Sequence, residues 1–426
     1  MQIIGIDIGT TSICGIAMDT ELGVVLRSKT VNSHAFIEGD KPFEKLQSPE
    51  KIISLAKEIL DSLICKETVA VGVTGQMHGI VYTDKNGKAI SPLYTWQDER
   101  GNQQYKGTTY AEYLGSFSGY GNVTDFYNCE NGLRPQEAIA YCTIHDYFVM
   151  QLCGLKRPLI HASDAASFGL YDLQNNRFDY EVNADIVTDY CIAGTYQNIP
   201  VSIAVGDNQA SVFSTLADEE NVLLNVGTGS QVSIISDHIV ESDNIETRPY
   251  FENKFLVVGA ALCGGRAYSI LKDFYAQILG YVTEVTEEQV YAIMSRMLSS
   301  IENTSLKVDT RFAGTRKNAH ITGSITGITT ENFTPAEITL GVLDGMASEL
   351  YGMYRQMQTL KSGVVGSGNG IRKNKHFVKI AEAKFGTAMK IPAHMEEAAV
   401  GAALFAAIAC GIFKNAHEAQ QLIRYI

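Results

Sequence analysis

A chain of 426 residues that is 45% hydrophobic and 19% charged has room for two or three domains and the composition of a folded protein, which excludes a mostly disordered chain. Its 34 basic and 47 acidic residues leave a net charge of −13, which repels nucleic acid and anionic membranes; an anionic ligand would need local backbone N–H groups or a bridging cation. Eight cysteines (Cys14, Cys65, Cys129, Cys142, Cys153, Cys191, Cys263, Cys410) include no CxxC pair, so they fit buried thiols in a reducing cytoplasm better than a zinc ribbon or a disulfide framework.

The opening Met1-Gln2-Ile3-Ile4-Gly5-Ile6-Asp7 lacks a basic leader and meets an acid at once, so it predicts a strand rather than a signal peptide. Residues 2–8 and 13–18 read as paired strands joined by a Gly-Thr-Thr turn. Ser48 as N-cap and Pro49 at the first helical position start a helix over 48–64, with the stripe Ile52, Leu55, Ile59, Leu63. Residues 68–73 form a short apolar strand. Thr334 and Pro335 open another helix running to about Leu360, and Val364-Val365 is again a strand. The apolar run 398–413 is short for a membrane span of ~20 residues and follows Glu396-Glu397, so it reads as a buried helix. Alternating strand and helix signals argue an α/β architecture. No low-complexity linker separates domains, so any division is a compact hinge.

An internal echo stands out. Ile6-Asp7-Ile8-Gly9-Thr10-Thr11-Ser12 returns about half a chain later as Leu224-Asn225-Val226-Gly227-Thr228-Gly229-Ser230. Each copy is an apolar strand, an Asp or Asn, a Gly-Thr turn and a second apolar run. The echo suggests two domains of similar build; two hairpins sharing turn chemistry are the plainer explanation.

Gly-Thr turns after buried strands suit phosphate, because glycine admits close backbone approach and successive N–H groups form an anion nest. Two such turns could clamp a nucleotide. No GxxxxGK[ST] is present, which excludes a P-loop. Asp7 beside phosphates would hold Mg2+, or merely cap its turn. Gly366-Ser367-Gly368-Asn369-Gly370 fails the dinucleotide spacing and leaves an adenine shelf or a plain turn. Gly75-Gln76-Met77-His78-Gly79 is a ligand loop or a structural one. Trp96, the sole tryptophan, adjoins Asp98 and Arg100, a set that suits a polyhydroxylated ligand or an ordinary interface. Asp207, after the apolar run 201–205, suits a base for a sugar hydroxyl or a helix cap.

Together the segments IGIDIGTTS, VTGQMHG, TWQDER, GDNQAS, NVGTGS and VVGSGNG, the last before an EEAAVGAAL helix, resemble the FGGY family of carbohydrate kinases, within the actin-like ATPase superfamily. The resemblance covers nearly the whole chain. Within the family, Thr143-Ile144-His145-Asp146-Tyr147, residues 152–159 and residues 163–169 look more like the branch that phosphorylates sedoheptulose than the xylulose branch. The resemblance implies two ribonuclease-H-like domains of the actin and hexokinase type with an interdomain cleft, divided as 1–216 and 217–426. Sugar would bind mainly to the first and nucleotide to the second. It implies Asp207 as catalytic base; Gln76, Met77, His78 and Asp98 as sugar contacts, to which Trp96 is added for its aromatic face beside Asp98; and Asp7 as metal ligand. Thr10, Thr11, Gly227, Thr228, Gly264, Gly368 and Asn369 would contact the nucleotide. ATP, Mg2+ and a ketose are the implied ligands, with a homodimer as a candidate assembly and no nucleic-acid or membrane partner. A pentulose kinase is the nearest alternative. A non-enzymatic nucleotide switch on the same fold is a different class, and a sugar base at Asp207 speaks against it. The second half is somewhat shorter than the family pattern.

Overall fold

Asp7 stands near the end of the strand Gln2–Ile8 in the computed structural model, which describes residues 1–180, 182–242, 244–315, 318 and 320–426. By internal packing the chain forms two units. The first comprises Met1–Ala217 with Arg248–Lys254 and His394–Arg424; the second comprises Asp218–Thr247 and Phe255–Ala393 with Tyr425–Ile426. The sequence-based boundary at 216/217 does not register these later returns of the chain.

The first unit is built on a sheet of strands β1 (Gln2–Ile8), β2 (Ser12–Asp19), β3 (Val25–Asn32), β4 (Thr68–Gly75), β5 (Ile192–Tyr196), β6 (Ile199–Ser202) and β7 (Val205–Gly206). Their order is β5-β6-β4-β1-β2-β3, with β7 also pairing with β4. β1 is antiparallel to β2 and parallel to β4, and β7 is parallel to β4. The parallel registers match Ile8 with Gly75 and Gly75 with Gly206, so three strand ends meet at one edge of the sheet. Chain ends of parallel strands are where α/β sheets place ligands.

β1 is almost wholly buried because helices cover both faces of the sheet. The helix Pro49–Leu63 starts where expected: Ser48 caps it by accepting from Lys51 N. Its buried face holds Ile52, Ile59 and Leu63 as predicted, with Ala56 and Leu60 completing the stripe and Leu55 only half-buried. The other face receives the helix Glu397–Ala409, which is buried all round. Its small residues let it lie directly on the sheet: a Cβ at Gly72 would stand 1.9 Å from Ala402 O, and one at Gly5 would stand 1.8 Å from Ala399 O. That close fit is why this C-terminal helix belongs to the first unit. Among the described residues no helix is long and apolar enough to cross a membrane.

The second unit repeats the wiring. β8 (Asn221–Val226), β9 (Ser230–Ser236), β10 (Ile245–Pro249), β11 (Phe255–Ala261), β12 (Gly363–Ser367) and β13 (Met389–Lys390) run in the order β10-β11-β9-β8-β12-β13. β8 and β9 are antiparallel, as are β9 and β11, while β8 is parallel to β12. This reproduces β1, β2, β3 and β4, so the echo read from sequence is an echo of topology. Asn225, the counterpart of Asp7, donates through Nδ2 to Ser367 Oγ at 2.8 Å on the neighbouring parallel strand. The helix Pro335–Gln356 is capped by Thr334 and stops short of Leu360 because Gln358 turns the chain with a φ of 58°.

Candidate active site

The three strand ends of the first unit carry the chemistry. β1 delivers Asp7, β4 leads into Gln76-Met77-His78, and β7 leads into Asp207, the first residue of the helix Asp207–Thr215. The start of a helix favours a carboxylate, through its unpaired N–H groups and dipole. Asp7 and Asp207 each keep a partly exposed edge. Enclosure by protein pushes the Asp207 carboxyl up to about 6, against the pull of His145 and Arg248. Burial, reinforced by the charge of Asp207, pushes Asp7 up to about 7, while His145 opposes it.

Thr10 is the junction of the first turn. Trp96 Nε1 donates to its Oγ1 at 2.9 Å, the hydroxyl donates to Gln76 Oε1 at 3.2 Å, and Gln47 Nε2 donates to the Thr10 carbonyl at 2.6 Å. Gln76 Nε2 in turn donates to Gln47 Oε1 at 2.9 Å. Thr11 is exposed beside it. Gln47 was not singled out from sequence; a buried glutamine with both amide ends engaged is recognisable only once its partners are placed.

His78 is held in an uncommon pose. Its φ is 73°, its ring stacks on Tyr120 with centroids 4.2 Å apart, and Nδ1 lies 2.8 Å from Ser167 O. The Nδ1–H that bond requires makes Nε2 the acceptor of the neutral ring. Met77 is buried, and its sulfur would lie 2.9 Å from a Cβ at Gly206, beside Asp207. Trp96 is 46% exposed.

Asp98 is bound into its own loop. It is 1% exposed, and its oxygens accept from Arg100 Nε at 2.6 Å, Arg100 Nη2 at 3.1 Å and Lys45 N at 3.0 Å. A carboxylate so enclosed and so engaged braces its own loop. Arg248, which sequence reading missed, donates through Nη1 to Asn208 Oδ1 at 3.1 Å and supplies positive charge beside Asp207. It comes from one of the segments that rejoin the first unit.

In the second unit, Thr228 and Gly229 are exposed in a turn closed by Gly227 N donating to Gly229 O. Gly265 N and Arg266 N donate to the carbonyls of Gly227 and Thr228, tying the turn to the helix Gly264–Gly280. Gly264 packs against Ser230, whose buried Oγ has no hydrogen-bond partner among the described residues. An orphaned hydroxyl in a glycine-rich turn fits an anionic ligand. Gly368 takes a φ of 84°, and a Cβ there would stand 2.6 Å from Val226 O; Asn369 beyond it is exposed. The structure therefore gathers Asp7, Thr10, Gln76, Met77, His78, Trp96 and Asp207 in the first unit, and places Gly227, Thr228, Gly264, Gly368 and Asn369 in the second.

Comparison with known proteins identifies this arrangement. Residues 2–112 match the N-terminal domain, and residues 222–410 the C-terminal domain, of the FGGY family of carbohydrate kinases. Sedoheptulokinase of Mus musculus is 28% identical, with 87% of this chain and 90% of that protein covered. A xylulose kinase of Staphylococcus epidermidis is 24% identical, covering 97% and 89%. The crystal structure of a xylulose kinase from Rhodospirillum rubrum superimposes with a TM-score of 0.85 at 17% identity, covering 100% of this chain and 93% of that one.

Proposed function

The chain belongs to the FGGY family of carbohydrate kinases and is an ATP-dependent carbohydrate kinase, and from that premise we propose that it phosphorylates the terminal hydroxyl of a ketose, with sedoheptulose as the preferred acceptor and sedoheptulose 7-phosphate as the product. One observation carries the chemistry: Asp207 and the Gln76–His78 loop stand on neighbouring parallel strand ends beside Asp7. The choice of sugar is supported by the segments 143–147, 152–159 and 163–169 and by the mouse relative.

Asp207 accepts the proton of the attacking hydroxyl. Phosphoryl transfer asks little covalent chemistry of the protein, so orienting the acceptor and balancing charge are the main tasks. Gln76 and His78 hydrogen-bond the sugar's hydroxyls, with Met77 and Trp96 giving it apolar surface. Asp98 serves at one remove, by fixing Arg100 and the loop that carries Trp96.

Asp7 fits Mg2+: its carboxylate is held up in pKa by enclosure and by Asp207, a condition that a nearby cation relieves. The Gly9–Thr11 turn and the Gly227–Thr228 turn fit phosphate oxygens, Gly264 supports the second turn, and Gly368 and Asn369 fit the base of the nucleotide. ATP, when bound, supplies the phosphoryl group, and Mg2+ offsets its charge. We place the enzyme in the cytoplasm, where its eight free thiols suit the reducing conditions.

A coupled ADP-release screen over ketoheptoses, ketopentoses, ketohexoses, glycerol and gluconate tests the reading. Sedoheptulose should give the highest kcat/KM. A clear preference for xylulose or ribulose would move the enzyme to the pentulose branch, the reading favoured by the Staphylococcus epidermidis relative.

A further inference from the structure

The chemistry above leaves a buried polar group unused. His145, His161, Ser163 and Asp164 have no exposed surface, and Ser167 is 4% exposed. Three of them lie on one short helix, Ala162–Ser167. Burying so many polar groups is costly unless they are fixed by one another, so their partners are informative.

The helix reaches His78 and the residue before Asp207 by direct hydrogen bonds. Gly206 N, immediately before Asp207, donates to Ser163 Oγ at 3.0 Å. Ser163 Oγ lies 2.8 Å from His161 Nδ1, which also accepts from Ser163 N at 3.1 Å. Nδ1 is therefore the unprotonated nitrogen, and Ser163 passes its own hydroxyl proton toward it. Burial pushes His161 down to about 4, which keeps that ring neutral and accepting. At the other end of the helix, His78 N donates to Ser167 Oγ at 3.1 Å, and His78 Nδ1 meets Ser167 O at 2.8 Å. Ser167 Oγ donates back to Asp164 O at 2.7 Å.

Between the two ends, Asp164 Oδ1 pairs with His145 Nε2 at 3.0 Å. His145 lies under the strand ends: a Cβ at Gly75 would stand 2.9 Å from its Nδ1 and 2.7 Å from Ile8 O. His145, Asp146 and Asp164 are close enough to hold a metal. Asp146 Oδ2 accepts from Thr143 Oγ1 at 2.7 Å and Asp164 Oδ1 faces His145 Nε2, while His145 Nδ1, Asp146 Oδ1 and Asp164 Oδ2 have no hydrogen-bond partner among the described residues.

We propose that the helix Ala162–Ser167 is the positioning element of the site, with Ser163 fixing the backbone that carries Asp207, Ser167 fixing the pose of His78, and Asp164 anchoring the helix through His145. This rests on the reading of Asp207 as base and His78 as sugar contact. Ser163, Asp164 and Ser167 are positioning residues, since none reaches the substrate.

The two serines should separate in steady-state kinetics with sedoheptulose and MgATP. Ser163→Ala removes the acceptor for Gly206 N, so kcat should fall about ten-fold with sugar KM changed less than about two-fold. Ser167→Ala removes the acceptor for His78 N while leaving the ring its bond to the Ser167 carbonyl, so the loop loosens and sugar KM should rise, by up to about ten-fold, with kcat within about three-fold. If Ser163→Ala does not fold, Ser163→Cys keeps the volume, offers only a weak sulfur acceptor and carries the same expectation. Equal losses in both parameters for both variants, or kinetics unchanged per folded molecule, overturn the proposal and leave the helix a structural element. Asp207→Asn, measured alongside, keeps the two readings apart. An inactive Asp207→Asn beside a fully active Ser163→Ala overturns only the positioning role; an active Asp207→Asn overturns the base itself.

Discussion

Trp96 Nε1 donates to Thr10 Oγ1 at 2.9 Å, tying the Trp96 loop to the first Gly-Thr turn. The Thr10 hydroxyl donates onward to Gln76 Oε1, so one side chain links the first turn to the loop proposed to hold sugar. If this path of three hydrogen-bonded side chains couples the two sides, a change at Thr10 should be felt on both. Thr228, in the second unit, stands exposed in a turn held by backbone bonds to Gly265 N and Arg266 N.

That contrast separates two otherwise similar substitutions. Thr228→Val should raise the KM for ATP by about ten-fold, the worth of a hydrogen bond to a charged group, and leave the sugar KM nearly unchanged. Thr10→Val should raise both, because it also removes the donor to Gln76 Oε1 and leaves that side chain held by Gln47. Steady-state titrations of each substrate at saturating levels of the other decide it. A Thr10→Val enzyme altered only toward ATP would show that the Gln76 link carries no function.

The sole tryptophan reports the same junction. Sugar binding without ATP should change Trp96 emission, since the indole is 46% exposed and its N–H is held by Thr10. Thr10→Val should alter the emission of the free protein and shrink the sugar-induced change. If calorimetry detects sugar binding while wild-type emission stays flat, Trp96 does not line the pocket.

How much of this was legible beforehand follows the range of each interaction. The Gly-Thr turns, the Ser48 and Thr334 caps and the motif loops are local chemistry, and the structure places them where the sequence put them. The bonds of Asp98 to Arg100 and Lys45 N were not legible, because an acid beside a tryptophan looks free until its partners are placed. Gln47 and Arg248 were invisible because they become neighbours of Thr10 and Asn208 only through pairing across dozens of residues. The helix Glu397–Ala409 read correctly as buried, but its place on β1 and β4 depends on the contours left by Gly5 and Gly72.

Gly72 gives a stability test of that fit. Gly72→Ala would drive a methyl to within 1.9 Å of the Ala402 carbonyl oxygen, a backbone atom that cannot rotate away. Overpacking of this kind costs about 1–3 kcal/mol or more. Denaturant unfolding should show a lower midpoint, and activity per folded molecule should fall as well, because β4 ends at the Gln76–His78 loop. A wild-type midpoint would mean that the helix Glu397–Ala409 does not lie on β4 in solution.

Asp207 gives the sharpest test, because rate and stability move in opposite directions. As general base it must be ionised, and loss of such a base typically removes ~10²–10⁴-fold in rate. Asp207→Asn should lose kcat on that scale with little change in sugar affinity. In the wild type, enclosure holds this carboxyl up at about 6, above its ordinary value of 3.8. The kcat/KM for sugar, which reports the free enzyme, should therefore fall about ten-fold per pH unit below about 6 and level off above it. The same shift fixes the sign for folding. With a pKa raised in the folded state, the folded chain holds the proton more tightly than the unfolded chain. That contribution is complete below about pH 4 and is lost as pH rises through about 6. The asparagine variant has no proton to lose, so its melting temperature relative to wild type should climb between about pH 4 and about pH 6, the window those two pKa values span, with nucleotide and magnesium left out. A variant whose relative stability instead declines across that window would mean that Asp207 sits among compensating positive charge, and the assignment of a poised base would fail even if the rate loss were observed.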